Sequence, residues 1–476
     1  SQRLTAKGRG FMRLAVIGLD CATPQLVFDR FRRDLPNLGR LMDEGAWGLL
    51  ESTHPPITVP AWASMMSGYD PGQLGIYGFR NRKDHSYDQY VLPSASTLKV
   101  DRVWDVLSRA GKKVILLGVP QTYPIKPVNG CVVSDFLTPS TRHDYTYPAE
   151  LKAEVERVAG GYVFDVEDFR TEDKAALLER IYDKTRKHFA VANHFLRTKP
   201  WDFFMLVEMG VDRIHHGFWS YMDPTHPNHV PGNPFEGAIR EYYRYVDRQV
   251  GEVLDLLPED TVVLVVSDHG AKKLDGGFCF NEWLVREGYL TVKAYPKEIT
   301  PIDRVEIDWS RTSAWGDGGY YGRVFLNVRG REPQGTIDPR DYEKVRTELV
   351  EKIQTIENPQ GRSLGSKAYR PEALYREVNG VAPDLIVYFG DLDWRSIGSL
   401  GFQTLYTFDN DTGPDGANHD WHGIFVMNGL GCEKGSFRKG RHDPLKLYDI
   451  GPTVLAFFGL QPSVDGVGRP MIPILA

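Results

Sequence analysis

The most regular signal in the chain is a set of short, unbroken apolar runs that each lead into an aspartate. TVVLVV (261–266) runs into Asp268 and His269, RLAVIGL (13–19) into Asp20, and the run that opens DFFMLVEMGVD (202–212) into Asp212. A run that is apolar at every position predicts a strand buried on both faces, so polar chemistry meets solvent only at its end. Amphipathic helical patterns lie between these strands. They include Leu38, Leu41 and Met42 within 35–48, and the helix and strand of 103–120. Leu177, Ile181, Phe189, Ala192 and Leu196 form another within 171–200, opened by a capping Thr171 and closed by Pro200. Ile239, Tyr243, Val246, Val250, Val253, Leu254 and Leu257 repeat the design within 238–257, and GCVVSDF (130–136) adds a strand. This alternation predicts an α/β fold with a mostly parallel central sheet and helices on both faces. Ligands bind such sheets beyond the carboxyl ends of the strands, which gathers Asp20, Asp212 and Asp268 at one candidate site.

After NEWLVREGYL (281–290) the pattern loosens into turn signals (WGDGGYYG), a short strand (RVFLNV) and one helix at 342–356. This predicts an inserted cap over 291–380. The α/β core then occupies 13–290 and 381–476, resuming with the apolar run PDLIVYFG (383–390) and closing with a helix in LYDIGPTVLAFFGL (447–460).

Composition narrows the function classes. A hydrophobic share of 41% and a charged share of 25% over 476 residues are ordinary for a soluble globular protein. No stretch approaches the roughly 18 apolar residues of a membrane span. A net charge of −6 with no block of Lys or Arg argues against nucleic-acid polymers and anionic membranes as partners, leaving a small substrate. If that substrate is an anion, its counter-charge comes from metal ions or a few placed arginines. Cys21, Cys131, Cys279 and Cys432 form no CxxC pair, and SQRLTAKGRGFM precedes no signal-type apolar core, so the expectation is a cytoplasmic protein with reduced thiols.

The candidate chemistry is a mixture of carboxylates and imidazoles. GVDRIHHGFW holds Asp212 with His215 and His216, and the spacing of four puts Asp212 and His216 on one helical face, a usual arrangement for two ligands of one metal. GANHDWHGIF (416–425) supplies His419 and His422. Asp20, Asp212, Asp268, His216, His269 and His419 make six oxygen and nitrogen donors that suit two divalent ions, zinc first and manganese as the alternative. Two such ions about 4 Å apart serve phosphoryl chemistry, one at the nucleophile and one at the leaving oxygen. Prolines 55, 56 and 60 and the run Ala61 to Met66, ended by Gly68, predict that Thr58 lies just before a helix N-terminus, where negative charge is favoured. Thr58 is then either a helix cap or the nucleophile.

Taken in order, GLD, PPITVPAW, GVDRIHH, SDHG and NHDWHGIF resemble the alkaline phosphatase superfamily. They are most similar to its type I phosphodiesterase/nucleotide pyrophosphatase branch and to phosphohydrolase and phosphomutase-like relatives. The resemblance covers Arg13 to about Leu290 and resumes from Pro383. It implies one metal on Asp20, Thr58, Asp268 and His269, and a second on Asp212, His216 and His419. His419 keeps the family's spacing to the strand at Gly423-Ile424-Phe425, leaving His422 as an outer partner or proton donor. The sulfatase pattern of Cys or Ser with a following arginine is absent, since Thr58 and Trp62 occupy those positions. Where the branch places a phosphoryl-binding asparagine, this chain has Phe79, with Arg80 or Asn81 beside it, and an arginine binds a phosphoryl dianion more strongly than an amide does. The resemblance implies a two-metal hydrolase acting on a small phosphate ester, diesters or nucleotide-type esters ahead of monoesters, through a phosphothreonine. A phosphomutase working under the cap and a non-catalytic metal- or nucleotide-binding protein are the alternatives. Tyr320, Tyr321, Trp219 and Tyr221 are candidates for an apolar substrate wall.

Overall fold

The computed structural model describes residues 13–429, 438–443 and 445–471. Cys432 and the basic start of the chain lie outside them. The elements that position the site are strand β1 (Arg13–Leu19), helix α1 (Thr58–Ser67), strand β2 (Phe203–Glu208), helix α2 (Gly210–Met222), strand β3 (Thr261–Val266), strand β4 (Gly270–Lys273), strand β5 (Ala417–Asp420) and strand β6 (His422–Gly429).

The three aspartate-ended runs lie side by side in the main sheet. β1 pairs in parallel with β3 on one edge and β2 on the other, so Gly18 faces Val266 and Leu19 faces Glu208. Val114–Leu117 and Gly130–Val133 extend the parallel sheet beyond β2. β6 and Ala46–Glu51 extend it antiparallel beyond β3. The sheet is therefore α/β and mostly parallel, as the pattern predicts. Successive residues of β1 enter opposite cores: Ala15, Ile17 and Leu19 pack on one face of the sheet, Leu14 and Val16 on the other. Each such fully buried aliphatic side chain contributes about 1.5–3 kcal/mol relative to exposure, so the strands have little freedom to slip and their ends are fixed.

Two local expectations shift. Lys174–Thr198 is capped by Asp173, whose carboxylate accepts from the Ala176 amide, and Thr171 lies outside the helix. AWGLLE (46–51) is an edge-side strand that alternates buried and half-buried residues.

The larger correction concerns the cap. Leu385–Tyr388, expected to return the chain to the main sheet, instead pairs antiparallel with Gly322–Leu326 and Lys367–Tyr369, in a separate four-stranded sheet completed by Ala314–Asp317. Gly276–Cys279 likewise pairs with Trp394–Ile397 and Tyr406–Thr407. One apolar cluster joins Phe278 and Leu284 to Val324, Leu349, Leu385 and Leu400. The second lobe thus draws on residues from both sides of 291–380. Among the described residues no helix is long and apolar enough to cross a membrane.

Candidate metal centre and cavity

Each member of the site is held from outside by one atom and leaves another free. Asp20 ends β1, and its Oδ2 accepts the Trp62 indole N–H at 2.7 Å, leaving Oδ1 buried with no hydrogen-bond partner. Trp62, which replaces the sulfatase arginine, is therefore a strut from α1 to β1. Cys21 follows with φ 65, a left-handed conformation uncommon for a residue with a Cβ. Its N–H reaches Asp268 Oδ1 at 3.2 Å, so Asp268 Oδ2 is likewise left without a hydrogen-bond partner. Asp212, in the first turn of α2, accepts the Arg213 guanidinium on Oδ2 at 2.5 Å, and its Oδ1 is the third such oxygen.

The three imidazoles follow the same rule. His269 Nδ1 donates to the Gly270 carbonyl at 3.0 Å, His419 Nδ1 to the Pro56 carbonyl at 2.8 Å, and His216 Nδ1 to Asp415 Oδ1 at 2.8 Å. Fixing the outer nitrogen orients each ring so that Nε2 faces inward. The inward atoms converge. His216 Nε2 is 3.2 Å from Asp212 Oδ1 and 3.3 Å from His419 Nε2, while His419 Nε2 is 3.6 Å from Asp212 Oδ1. His269 Nε2 is 3.2 Å from Asp268 Oδ2 and 3.8 Å from Asp20 Oδ1. Asp20, Asp268 and His269 form one set of donor atoms within 4.8 Å of one another, and Asp212, His269 and His419 form a contiguous one. Register brings the distant parts of the chain together, since β4 pairs with β5 to set Ala271 opposite His419.

Thr58 is the first residue of α1, one position further into the helix than the sequence implies. Ile57 occupies the cap, and no side-chain cap bond is present. The hydroxyl instead lies 3.3 Å from His269 Nε2. Helix capping therefore does not account for this threonine. Gly68, with φ 77, closes the helix as the sequence indicates.

The charges are strongly displaced. Burial, reinforced by Asp268 and Asp212, pushes the Asp20 carboxyl well up, and burial pushes Asp268 up to about 6 against the pull of His269. Burial would raise Asp212 too, but His216 and Arg213 outweigh it and hold the carboxylate well below its usual range. Burial lowers His216 while Asp415 and Asp212 raise it further, to about 9. Burial and the neighbouring His269 keep His419 well below the usual imidazole range. Such opposed shifts within one cluster mark functional sites.

A cavity of about 440 Å³ opens onto this cluster and is bordered by Thr58, Asp212 and His419 together with Phe79, Arg80, Phe169, Tyr320 and Tyr321. Arg80 is exposed at its rim, while Asn81 is buried and spends its amide on the Tyr77 N–H and the Gly78 carbonyl. Of the two residues beside Phe79, only Arg80 is open to a phosphoryl group. His422 is not brought to the site. β5 ends at Asp420 and the chain turns at Trp421, which carries His422 onto β6 opposite Glu51, away from the cavity lining. The outer-partner role falls to Asp415, which the sequence reading missed. Trp219 and Tyr221 are not cavity walls either, because Tyr221 packs with Phe218 and Phe235 and Trp219 lies edge-on to His215, both in the main core.

The order and geometry of these residues agree with a match to the type I phosphodiesterase / nucleotide pyrophosphatase family model over residues 14–419. The chain belongs to that family. Membership makes it a phosphoester hydrolase with a divalent-metal site. Human ectonucleotide pyrophosphatase/phosphodiesterase 5 shares the fold, with a TM-score of 0.56 at 12% identity over 95% of this chain and 96% of that one. An inactive threonine-to-alanine form of the murine protein in complex with AMP gives 0.55 at 13% identity over the same shares. No curated protein matches this family member in sequence.

Proposed function

We propose that the protein hydrolyses a small phosphate ester, of diester or nucleotide type, with two divalent ions and through a phosphoryl group carried on Thr58. The observation that carries this reading is the Thr58 hydroxyl, 2% exposed, at the start of α1 without a cap bond and directed at His269. The residues present fit the two ions. Asp20, Asp268, His269 and Thr58 are suited to one, and Asp212, His216 and His419 to the other. Three buried carboxylate oxygens with no hydrogen-bond partner, together with three inward imidazole nitrogens, form a donor set that ordinary packing does not need. Ions bound there supply Lewis-acid stabilisation of phosphoryl charge and lower the pKa of a nearby hydroxyl.

The chain's own groups do the rest. The N-terminus of α1 offers backbone N–H groups and a positive dipole end to the phosphoryl oxygens as Thr58 Oγ1 attacks. Arg80 at the cavity rim neutralises a non-bridging oxygen, which would favour esters with more phosphoryl charge. Attack forms the Thr58 Oγ1–phosphorus bond as the ester oxygen–phosphorus bond breaks, and the Thr58 proton balances the one the departing alcohol takes. Water then cleaves the Thr58 ester, releasing phosphate or its remaining monoester and restoring the hydroxyl. Acid quenching during turnover of a p-nitrophenyl phosphodiester, followed by mass spectrometry of the peptide holding Thr58, should reveal one added phosphoryl group or its ester. Steady turnover with an unmodified peptide at every quench time would count against the covalent route.

A further inference from the structure

Arg170, Arg323 and Arg395 border the same cavity as Thr58. Arg170 Nε and Arg395 Nη1 both bond Asp415 Oδ2, at 3.0 and 3.3 Å, and His216 takes the other oxygen of the same carboxylate. One wholly buried carboxylate therefore serves two guanidinium groups and an imidazole. Arg395 is 5% exposed, and its Nε is buried with no partner. Arg323 borders the same cavity, its guanidinium donating to the Arg80 carbonyl and 3.1 Å from Asp317. Burying guanidinium charge with so few carboxylates is costly unless a further anion completes the set.

The neighbouring rings are already engaged. Phe169 carries the guanidinium carbons of Arg170 and Arg213 at 4.5 and 4.4 Å from its centroid. Tyr320 carries the His419 ring at 4.2 Å and Arg395 at 5.1 Å, and its hydroxyl accepts from Arg170 at 2.6 Å. Phe169 thus holds two guanidinium groups in place, and Tyr320 holds Arg395 beside the His419 ring. Tyr320 spans the interval between His419 and the arginines.

We infer that Arg170, Arg395 and Arg323 form a second anion subsite, so that the substrate is a phosphorylated acid whose carboxylate lies on the arginines while its phosphoryl group lies at Thr58. This rests on the proposed function for the position of the phosphoryl group, and it replaces the diester or nucleotide-type preference with a monoester of an acid. Guanidinium groups bind planar oxyanions in pairs of hydrogen bonds, which gives the subsite its specificity for an acid over a neutral arm.

The test compares matched ligands by calorimetry on the protein loaded with zinc or manganese. Phosphoglycolate is set against ethyl phosphate, and 4-(phosphonooxy)butyrate against butyl phosphate. At least one acid should bind tenfold or more tightly than its match without the carboxylate, and Arg170→Gln and Arg323→Gln should each reduce that advantage severalfold. Arg323 pairs with Asp317 and not with the Asp415 that holds His216, so its variant gives a reading even if replacement at Arg170 disturbs that carboxylate. Equal affinities within both pairs, or no binding by any of the four, would overturn the subsite. Release of nitrophenol from a p-nitrophenyl ester by the same preparation is read separately. Turnover without a preference for the acid rejects the subsite alone, and a preference for the acid without turnover rejects hydrolysis alone.

Discussion

His216 and Asp415 are joined by a 2.8 Å hydrogen bond from imidazole Nδ1 to carboxylate Oδ1, both side chains almost wholly buried. Burial opposes the charge on Asp415, but His216 and Arg170 overcome it and hold its pKa far below the usual range. The carboxylate fixes the ring so that Nε2 meets Asp212 and His419. Asp415→Asn preserves size and removes the charge. Outer partners of this kind typically change metal affinity by about 10–100-fold, so calorimetric titration with zinc should show one of two binding events weakened by that order. Two unchanged events would leave Asp415 as a holder of arginines only.

Thr58→Ala should lower turnover by several orders of magnitude and leave the melting temperature and most metal binding intact, since Asp20, Asp268 and His269 remain. Thr58→Ser should keep substantial activity. Because no cap bond is lost, the roughly 1 kcal/mol expected for removing a true cap should not appear. A stable alanine variant with near-normal kinetics would rule out Thr58 as nucleophile.

Chelation should abolish hydrolysis of a p-nitrophenyl phosphate ester, and zinc or manganese should restore it. Elemental analysis alongside the assay decides the matter, as full activity in a metal-free sample contradicts the two-ion reading.

Arg80 borders the cavity, is exposed, and makes no ion pair with another described residue. Arg80→Ala should reduce turnover of a monoester more than that of a diester, by about tenfold for the dianion, the scale of one charge-assisted hydrogen bond. Equal losses on both esters would mean that Arg80 does not contact the phosphoryl oxygens.

His54 lies in the segment that leads into α1, against Trp421 and Tyr388. Burial, with help from Lys367, takes its pKa down to about 4. The unfolded chain binds this proton near pH 6.5 and the folded chain only near 4, so its contribution is unaffected above 6.5 and becomes a penalty as pH falls through that window. Between pH 7 and 5 this amounts to about 2 kcal/mol of lost stability by linkage. Urea titrations of His54→Phe should show a correspondingly smaller loss, and parallel slopes for the two proteins would exclude His54 as the cause.

Much of the site was legible in the sequence because its residues sit where periodicity changes. Asp20 and Asp268 follow fully apolar strands, and Asp212 and His216 share a helical face by their spacing. Asp415, Arg170 and Arg395 carry no comparable signal: Asp415 and Arg170 lie in irregular segments and Arg395 on a four-residue strand, and they meet only through tertiary packing. The run LIVY at 385–388 reads from sequence as a buried strand of the core, yet it belongs to the second lobe's sheet, because four buried residues read alike in any sheet. Its partners, Val324 and Ala368 among them, are what distinguish the two. His422 was attractive by chemistry alone, and one turn at Trp421 removes it.

The second lobe reaches directly into the centre, through Tyr320 stacked on His216 and His419 and through Asn418, whose amide donates to the Tyr320 carbonyl. It is therefore not an exchangeable cassette. A chimera that grafts the lobe of a relative onto this sheet would exchange the ring that braces two imidazoles along with the substrate wall, so new specificity cannot be transplanted without rebuilding the metal centre. Diversification by a point change at Arg323 is the easier path, since Arg323 pairs with Asp317 while Arg170 and Arg395 hold Tyr320 and Asp415.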